Sequence, residues 1–115
     1  MGFWTSFFLG KCNAAFQNVN LHDSSSLHAC LAAAQAHIIA LVEEQIFLGR
    51  WRAGPEVQSL VYGFVLAYLN QRLLANRQEA YVDFDLLADG IIQAASAQYW
   101  DEYYARQAQS ALSTY

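Results

Sequence analysis

Residues 24–49 read SSSLHACLAAAQAHIIALVEEQIFLG, and this stretch decides the fold. From Leu27 to Leu48 apolar residues recur at alternating steps of four and three, interrupted once by Gln45, and this spacing returns side chains to one face of an α-helix. The serines at its start can cap a helix, and Gly49 is a natural helix end. The stretch predicts a helix over about 25–49, and its apolar flanking positions predict that this helix is enclosed at the centre of the fold.

Three further segments repeat this helical spacing on either side. The third begins with Pro55, which suits the first position of a helix, and the fourth begins with Asp83 and Asp85, which suit a cap and a first turn. The chain has one proline, no hairpin signal and no internal repeat. The sequence therefore predicts an all-α fold: one domain over residues 1–115, built as a bundle of about four helices at 3–19, 25–49, 55–76 and 83–109.

The composition predicts an association surface. Of the 115 residues 56% are hydrophobic and 14% are charged, against about 45–50% and about 25% in ordinary soluble domains. A chain of this size has difficulty burying so much apolar surface within one small core. We therefore expect a homodimer, a surface that binds another protein, or both.

The charge and the cysteine count exclude other classes. The net charge is −4, and the six basic residues are scattered along the chain. Nucleic-acid binding needs a concentrated positive field, so we expect none. Two cysteines in so apolar a chain do not suggest a disulfide framework, which favours a reducing, cytoplasmic location.

The N-terminal stretch MGFWTSFFLGKC resembles a targeting segment only superficially. It lacks the positive n-region of a signal peptide and is too short to span a membrane. A myristoylation pattern is present at Gly2 and Ser6, but such a short pattern often arises by chance. A membrane-surface role for its aromatic residues is a further alternative, which the single nearby cation, Lys11, disfavours. We expect an amphipathic helix that packs on the protein or on its dimer mate, and no membrane partner.

The histidines and Cys30 fall close together in sequence, which suggests a metal site. On a helix His28 and Cys30 lie about 200° apart, and Cys30 and His37 lie about 10.5 Å apart along the axis. Neither pair can share a zinc ion. We expect no metal and no cofactor, with Cys30 and His37 as enclosed helix residues. A buried His37 would need a hydrogen-bond partner.

Aromatic and arginine residues are the strongest functional signal, because Trp, Tyr and Arg dominate binding hot spots. They are concentrated at the N-terminus and in the stretches GRWRAGPE, residues 49–56, and QYWDEYYAR, residues 98–106. Gly63 adds a face of small residues that would let two helices approach closely, within a protomer or across a dimer. The residues predicted to form the dimer or bind a partner are Phe3, Trp4, Phe7, Phe8, Trp51, Arg52, Gly63, Trp100 and Tyr104.

These observations predict a non-enzymatic protein-protein interaction module. No phosphate loop, dinucleotide fingerprint or nucleophile motif is present. The role that fits is a small regulatory or inhibitory binder that sequesters a partner such as a transcriptional regulator by occupying its dimerisation or ligand-binding surface. The alternative is a small-ligand-binding helical protein or small enzyme, in which Cys30, His37 and Tyr62 or Tyr68 line a cavity between helices.

Overall fold

The computed structural model describes residues 2–46, 48–74 and 82–113, and within these ranges it contains four α-helices and no strand. This confirms the all-α bundle. The helices are α1 (Phe3–Ala15), α2 (Ser24–Leu41, continued by a π-helical turn at Val42–Ile46), α3 (Pro55–Leu73) and α4 (Phe84–Ser113).

The helix ends differ from the predicted ends where the backbone turns. α1 ends at Ala15 instead of residue 19, because the chain leaves the helix through a turn that holds Asn18 at a φ of 61°. α4 continues to Ser113, past the predicted end at residue 109. α3 ends at Leu73, and its predicted end at residue 76 lies outside the described residues.

The cap of α2 is Asp23 and not one of the three serines. Its carboxylate accepts hydrogen bonds from the Ser25 backbone N–H at 3.1 Å and from the Ser26 hydroxyl at 2.8 Å. A charged acceptor at the positive end of the helix dipole satisfies the free N–H groups better than a hydroxyl does. The hydrogen bonds from Ser26 and Ser25 hold the pKa of Asp23 below its ordinary value.

The most enclosed helix is α3, which packs against the other three helices. Its buried residues follow one stripe: Val57, Val61, Phe64, Val65 and Leu69. The expectation that α2 would be the central helix is wrong, because α2 fully buries only Ala34 and Ile38. Many of its apolar positions are alanines, which favour a helix and are tolerated at the surface as well as in the core.

α1 and its C-terminal cap contribute two buried aromatic side chains to the core. Phe8, Cys12 and Phe16 are buried, and the Phe8 ring packs edge-on against Phe64 with the centroids 5.7 Å apart. Burial raises the pKa of the Cys12 thiol to about 12. Phe8, predicted as a contact residue, is thus a core residue, because helical spacing turns it to the inner face of α1.

Asp85 joins the start of α1 to the start of α4. Its Oδ1 accepts hydrogen bonds from the Gly2 backbone N–H at 2.7 Å and from the Thr5 hydroxyl at 2.5 Å. These two bonds, the Thr5 bond first, hold the pKa of Asp85 below its ordinary value. The N-terminal aromatic residues are therefore fixed beside the first turn of α4.

The C-terminal part of α4 extends beyond the bundle. The helix has 30 residues, which corresponds to a length of about 45 Å, and residues 103–112 are exposed throughout. The Cα radius of gyration is 16.9 Å, against about 13 Å for a compact domain of this length. The side chains of residues 103–112 are therefore largely accessible to solvent.

Candidate functional site

The loop between α2 and α3 begins with an unusual backbone conformation. Leu48 has a φ of 55° and Gly49 a φ of 73°, and the Gly49 N–H donates to the Glu43 carbonyl at 2.9 Å across the wide last turn of α2. The left-handed region is natural for glycine, but it costs a leucine about 1–3 kcal/mol. Leu48 is also 81% exposed, so the loop holds an apolar side chain in solvent at a backbone cost.

Two side chains pin the rest of this loop. The Glu43 carboxylate accepts from the Ala53 N–H at 2.8 Å and pairs with the Arg52 guanidinium at 3.3 Å. The Gln98 side chain, from α4, accepts from the Gly54 N–H at 3.1 Å. Because α2 and α4 both hold it, the loop has a defined position beside α4.

The pinned loop and α4 enclose two adjoining depressions, which we call the Arg50–Tyr99 cleft because both depressions share these two residues. One depression encloses about 170 Å³ and the other about 270 Å³. Trp51 forms the floor of the smaller one and is buried in the core. The complete lining is Ile46, Leu48, Arg50, Trp51, Tyr99, Trp100, Glu102, Tyr103 and Arg106.

The cleft brings together the two stretches that the sequence predicted separately as interface segments. GRWRAGPE supplies the loop wall, and QYWDEYYAR supplies the helical wall. Nothing in either pattern indicated that they would meet. They meet because the loop that precedes α3 packs beside Gln98 of α4, 44 residues further along the chain.

An aromatic cluster continues from the cleft onto the α4 extension. The Trp100 ring lies 5.1 Å from Tyr99, 5.5 Å from Tyr103 and 6.1 Å from Tyr104, measured between centroids. Trp100 and Tyr104 are 49% and 64% exposed. Rings at these distances support one another and form a semi-rigid apolar surface with polar edges.

The arginines of the bundle differ in whether another residue pairs with them. Arg52 pairs with Glu43, and Arg72, on the opposite side of the bundle, donates to the Phe16 carbonyl at 2.8 Å. Within residues 2–46, 48–74 and 82–113, Arg50 and Arg106 form neither a hydrogen bond nor an ion pair. Glu102 also lines the smaller depression and accepts from Gln98 at 3.2 Å.

The predicted contact residues fall into separate places. Trp100 lines the cleft, Tyr104 is exposed on the adjoining aromatic face of α4, and Arg52 is an exposed residue of the loop between α2 and α3. Trp51 is 1% exposed and lies beneath the cleft, so the prediction that it offers contact area is corrected: its indole ring fills the core.

A second exposed patch lies at the other end of α4. Phe3 and Phe7 are exposed with Trp4 half-buried between them, and Asp85 holds this end of α1 in place. Asp85 and Trp100 are 15 residues apart along one helix, a separation of about 22 Å. The N-terminal patch is therefore a separate surface and not an extension of the cleft.

Gly63 itself does not lie between two helices within the protomer. Gly63 is exposed, and a Cβ placed on it would meet no atom of another described helix within 4 Å. α2 and α3 do pack together, but Gln35, which donates to the Gln58 carbonyl at 3.1 Å, bridges them near the small-residue face. Only the dimer alternative remains for Gly63, and it stays a prediction.

The histidine and cysteine cluster of α2 does not form a common site in the described part of the chain. His37 is exposed and Cys30 is half-buried, so the expectation that both are enclosed is wrong for His37. Among the described residues, no group of three or more histidine, cysteine or acidic side chains could hold a metal ion. Tyr62 lines a shallow depression with Gln58, without Cys30 or His37.

One described helical stretch, Ser24–Ile46, meets the length and hydropathy of a membrane span. Its 23 residues are long and apolar enough to cross a membrane, with a mean hydropathy of 1.5. Core helices of soluble proteins meet the same criteria of length and composition.

Three residues important for the site were missed by the sequence reasoning. Leu48 was interpreted as part of a helical seam, and Glu43 and Gln98 were not recognised as loop anchors. The Gly49 stop was the one available signal that the chain changes direction here. Hydrogen bonds across 10 and 44 residues leave no local pattern in a sequence.

Comparison of the chain with models of protein families, with curated proteins and with solved structures finds no match in any of the three.

Proposed function

We propose that this protein is a non-enzymatic protein-binding module that captures its partner at the Arg50–Tyr99 cleft and the adjoining aromatic face of α4. The observation that carries the proposal is the exposed aromatic cluster on a helix that extends past its own bundle. Trp100, in the wall of the cleft, and Tyr104, on the extension, lie one helical turn apart and contribute little to the core. A helix face that only contacts solvent usually carries charged or polar residues at such positions.

The energetics favour a protein partner at this surface. A buried Trp or Tyr covers about 150–250 Å², and truncating such a hot-spot residue costs about 2 kcal/mol or more of binding free energy. The Trp100 and Tyr104 rings are held by their neighbours, so little side-chain freedom is lost on binding. The surface is thus pre-arranged for association.

The partner class and the cellular setting rest on composition. Small size, net acidity and the lack of a recognised catalytic motif favour a regulatory or inhibitory binder that sequesters a protein such as a transcriptional regulator by occupying its dimerisation or ligand-binding surface. The cysteine usage favours a cytoplasmic location. A homodimer is part of the proposal, because Gly63 and the N-terminal patch remain uncovered in the protomer.

The test is affinity capture from the native host with full-length protein and two variants. We expect the double variant Trp100→Ala, Tyr104→Ala to lose a protein that the parent captures. Tyr62→Ala is the matched control, since Tyr62 is a similarly exposed aromatic residue, 44% exposed, on α3. Equal capture by all three proteins would contradict the proposed surface.

Sedimentation at micromolar concentration tests the dimer separately. We expect a dimeric mass for the parent and a monomeric mass for either Gly63→Leu or Phe3→Ser, according to which surface forms the contact. A monomeric parent would remove the dimer from the proposal and leave the partner surface intact.

A further inference from the structure

We propose that the Arg50–Tyr99 cleft recognises a peptide segment of the partner that carries a carboxylate next to a large apolar side chain. This inference rests on the proposed function and specifies the chemistry of the partner. The carboxylate would lie between Arg50 and Arg106 in the smaller depression, and the apolar side chain would enter the larger one.

The charges of the cleft favour an acidic group. Arg50 and Arg106 flank the smaller depression, and neither is paired with any residue that the structure describes. Glu102 offsets only one of the two positive charges. The chain as a whole carries a net charge of −4, so the cleft is a local positive region on an acidic protein. A guanidinium binds a carboxylate through two parallel hydrogen bonds, which gives both strength and orientation.

The larger depression favours an apolar side chain. Ile46, Leu48 and Trp100 line it together with Tyr99 and the stem of Arg50. Leu48 is held in the left-handed region while 81% exposed. Such strain persists where the surrounding structure imposes it, and it is concentrated at ligand clamps and active sites. Burial of Leu48 by a bound side chain would recover apolar contact that the free protein lacks.

The two depressions are close enough for one short segment. They share Arg50 and Tyr99 as a common wall, so a side chain in one lies beside a side chain in the other. Neighbouring side chains on one face of a peptide are about 5–7 Å apart, whether the peptide is helical or extended. An acidic residue and an apolar residue at such a spacing can fill both depressions together.

The experiment begins with selection of displayed random 12-residue peptides on the immobilised full-length protein. Each enriched peptide is then synthesised in two forms, one with its acidic residues and one with the corresponding amides, and binding is measured by fluorescence anisotropy. We expect enriched peptides to pair Asp or Glu with Trp, Phe or Leu, and to bind at least tenfold more weakly in the amide form. Arg50→Glu and Arg106→Glu should each weaken binding at least tenfold.

Lys11→Glu is the matched control, because it changes the net charge equally at a residue on α1, away from the cleft. Amide peptides that bind as well as acidic ones, or binding that survives both arginine substitutions, would overturn the inference. So would tight, arginine-dependent binding of a 12-nucleotide single-stranded RNA that displaces the peptides, since it would indicate phosphate recognition. Peptides that need Trp100 but no acidic group would leave the proposed function standing, whereas no enrichment of any Trp100-dependent peptide would count against both.

Discussion

Replacing Glu43 with alanine is expected to lower the free energy of unfolding by about 2–3 kcal/mol. The Glu43 side chain is 16% exposed and accepts a hydrogen bond from the Ala53 N–H at 2.8 Å. A hydrogen bond to a charged group contributes about 1.5–3 kcal/mol, and its loss leaves the N–H of the buried Ala53 without its acceptor. The Arg52 partner is 79% exposed, so that ion pair adds between about 0 and 1 kcal/mol.

Two companion variants separate these contributions. Glu43→Gln keeps an acceptor for Ala53 and loses the charge, so it should cost about 1 kcal/mol. Glu44→Ala is the matched control: Glu44 is the exposed neighbour, and its replacement should change stability by no more than about 0.5 kcal/mol.

Urea unfolding followed by far-ultraviolet circular dichroism gives the midpoint and the slope for each variant. A lower midpoint at constant slope would show a change in stability alone. If Glu43→Ala and Glu44→Ala unfold at the same urea concentration, Glu43 does not pin the loop, and the defined position of the Arg50–Tyr99 cleft loses its physical basis.

Three further predictions concern the same loop and the core. A Cβ at Gly54 would overlap the Gln98 side-chain amide, so Gly54→Ala and Gln98→Ala should each lower the free energy of unfolding by about 1 kcal/mol. Measured by urea unfolding, the double variant should lose clearly less stability than the sum of the two single variants. Additive losses would contradict the contact. Leu48→Gly should raise the midpoint of thermal unfolding, because it relieves about 1 kcal/mol of backbone strain. The same variant should bind peptides more weakly. A lower midpoint would show that Leu48 is not strained. Mass spectrometry after brief iodoacetamide treatment at pH 8 should find Cys30 modified and Cys12 unmodified, because burial raises the pKa of the Cys12 thiol to about 12. Both cysteines should react in urea. Modification of Cys12 before Cys30 would refute the burial of Cys12.

The helical pattern carried most of the prediction of the fold. Pro55 and the three- and four-residue spacings place α3 and α4 correctly at their starts, because these signals act within one or two turns of the chain. The predicted end of α1 was wrong because the helix is followed by a turn with Asn18 in the left-handed region. A single sequence does not indicate this backbone conformation.

The candidate site was only half accessible to sequence reasoning. Aromatic and arginine residues marked both of its walls before the structure placed them together. The same reasoning assigned Trp51 to a surface that the structure assigns to the core, because residue type alone does not distinguish a hot spot from a core residue.

The sequence by itself determined the helices, their number and the abundance of contact-type residues, since these follow from local spacing and composition. Only the tertiary structure decided that α3 is the enclosed helix, that His37 faces solvent, and that Arg50 and Tyr99 form one cleft. The physical reason is distance along the chain: these outcomes depend on contacts and hydrogen bonds between residues far apart in sequence, and helical periodicity specifies a face without specifying what lies against it.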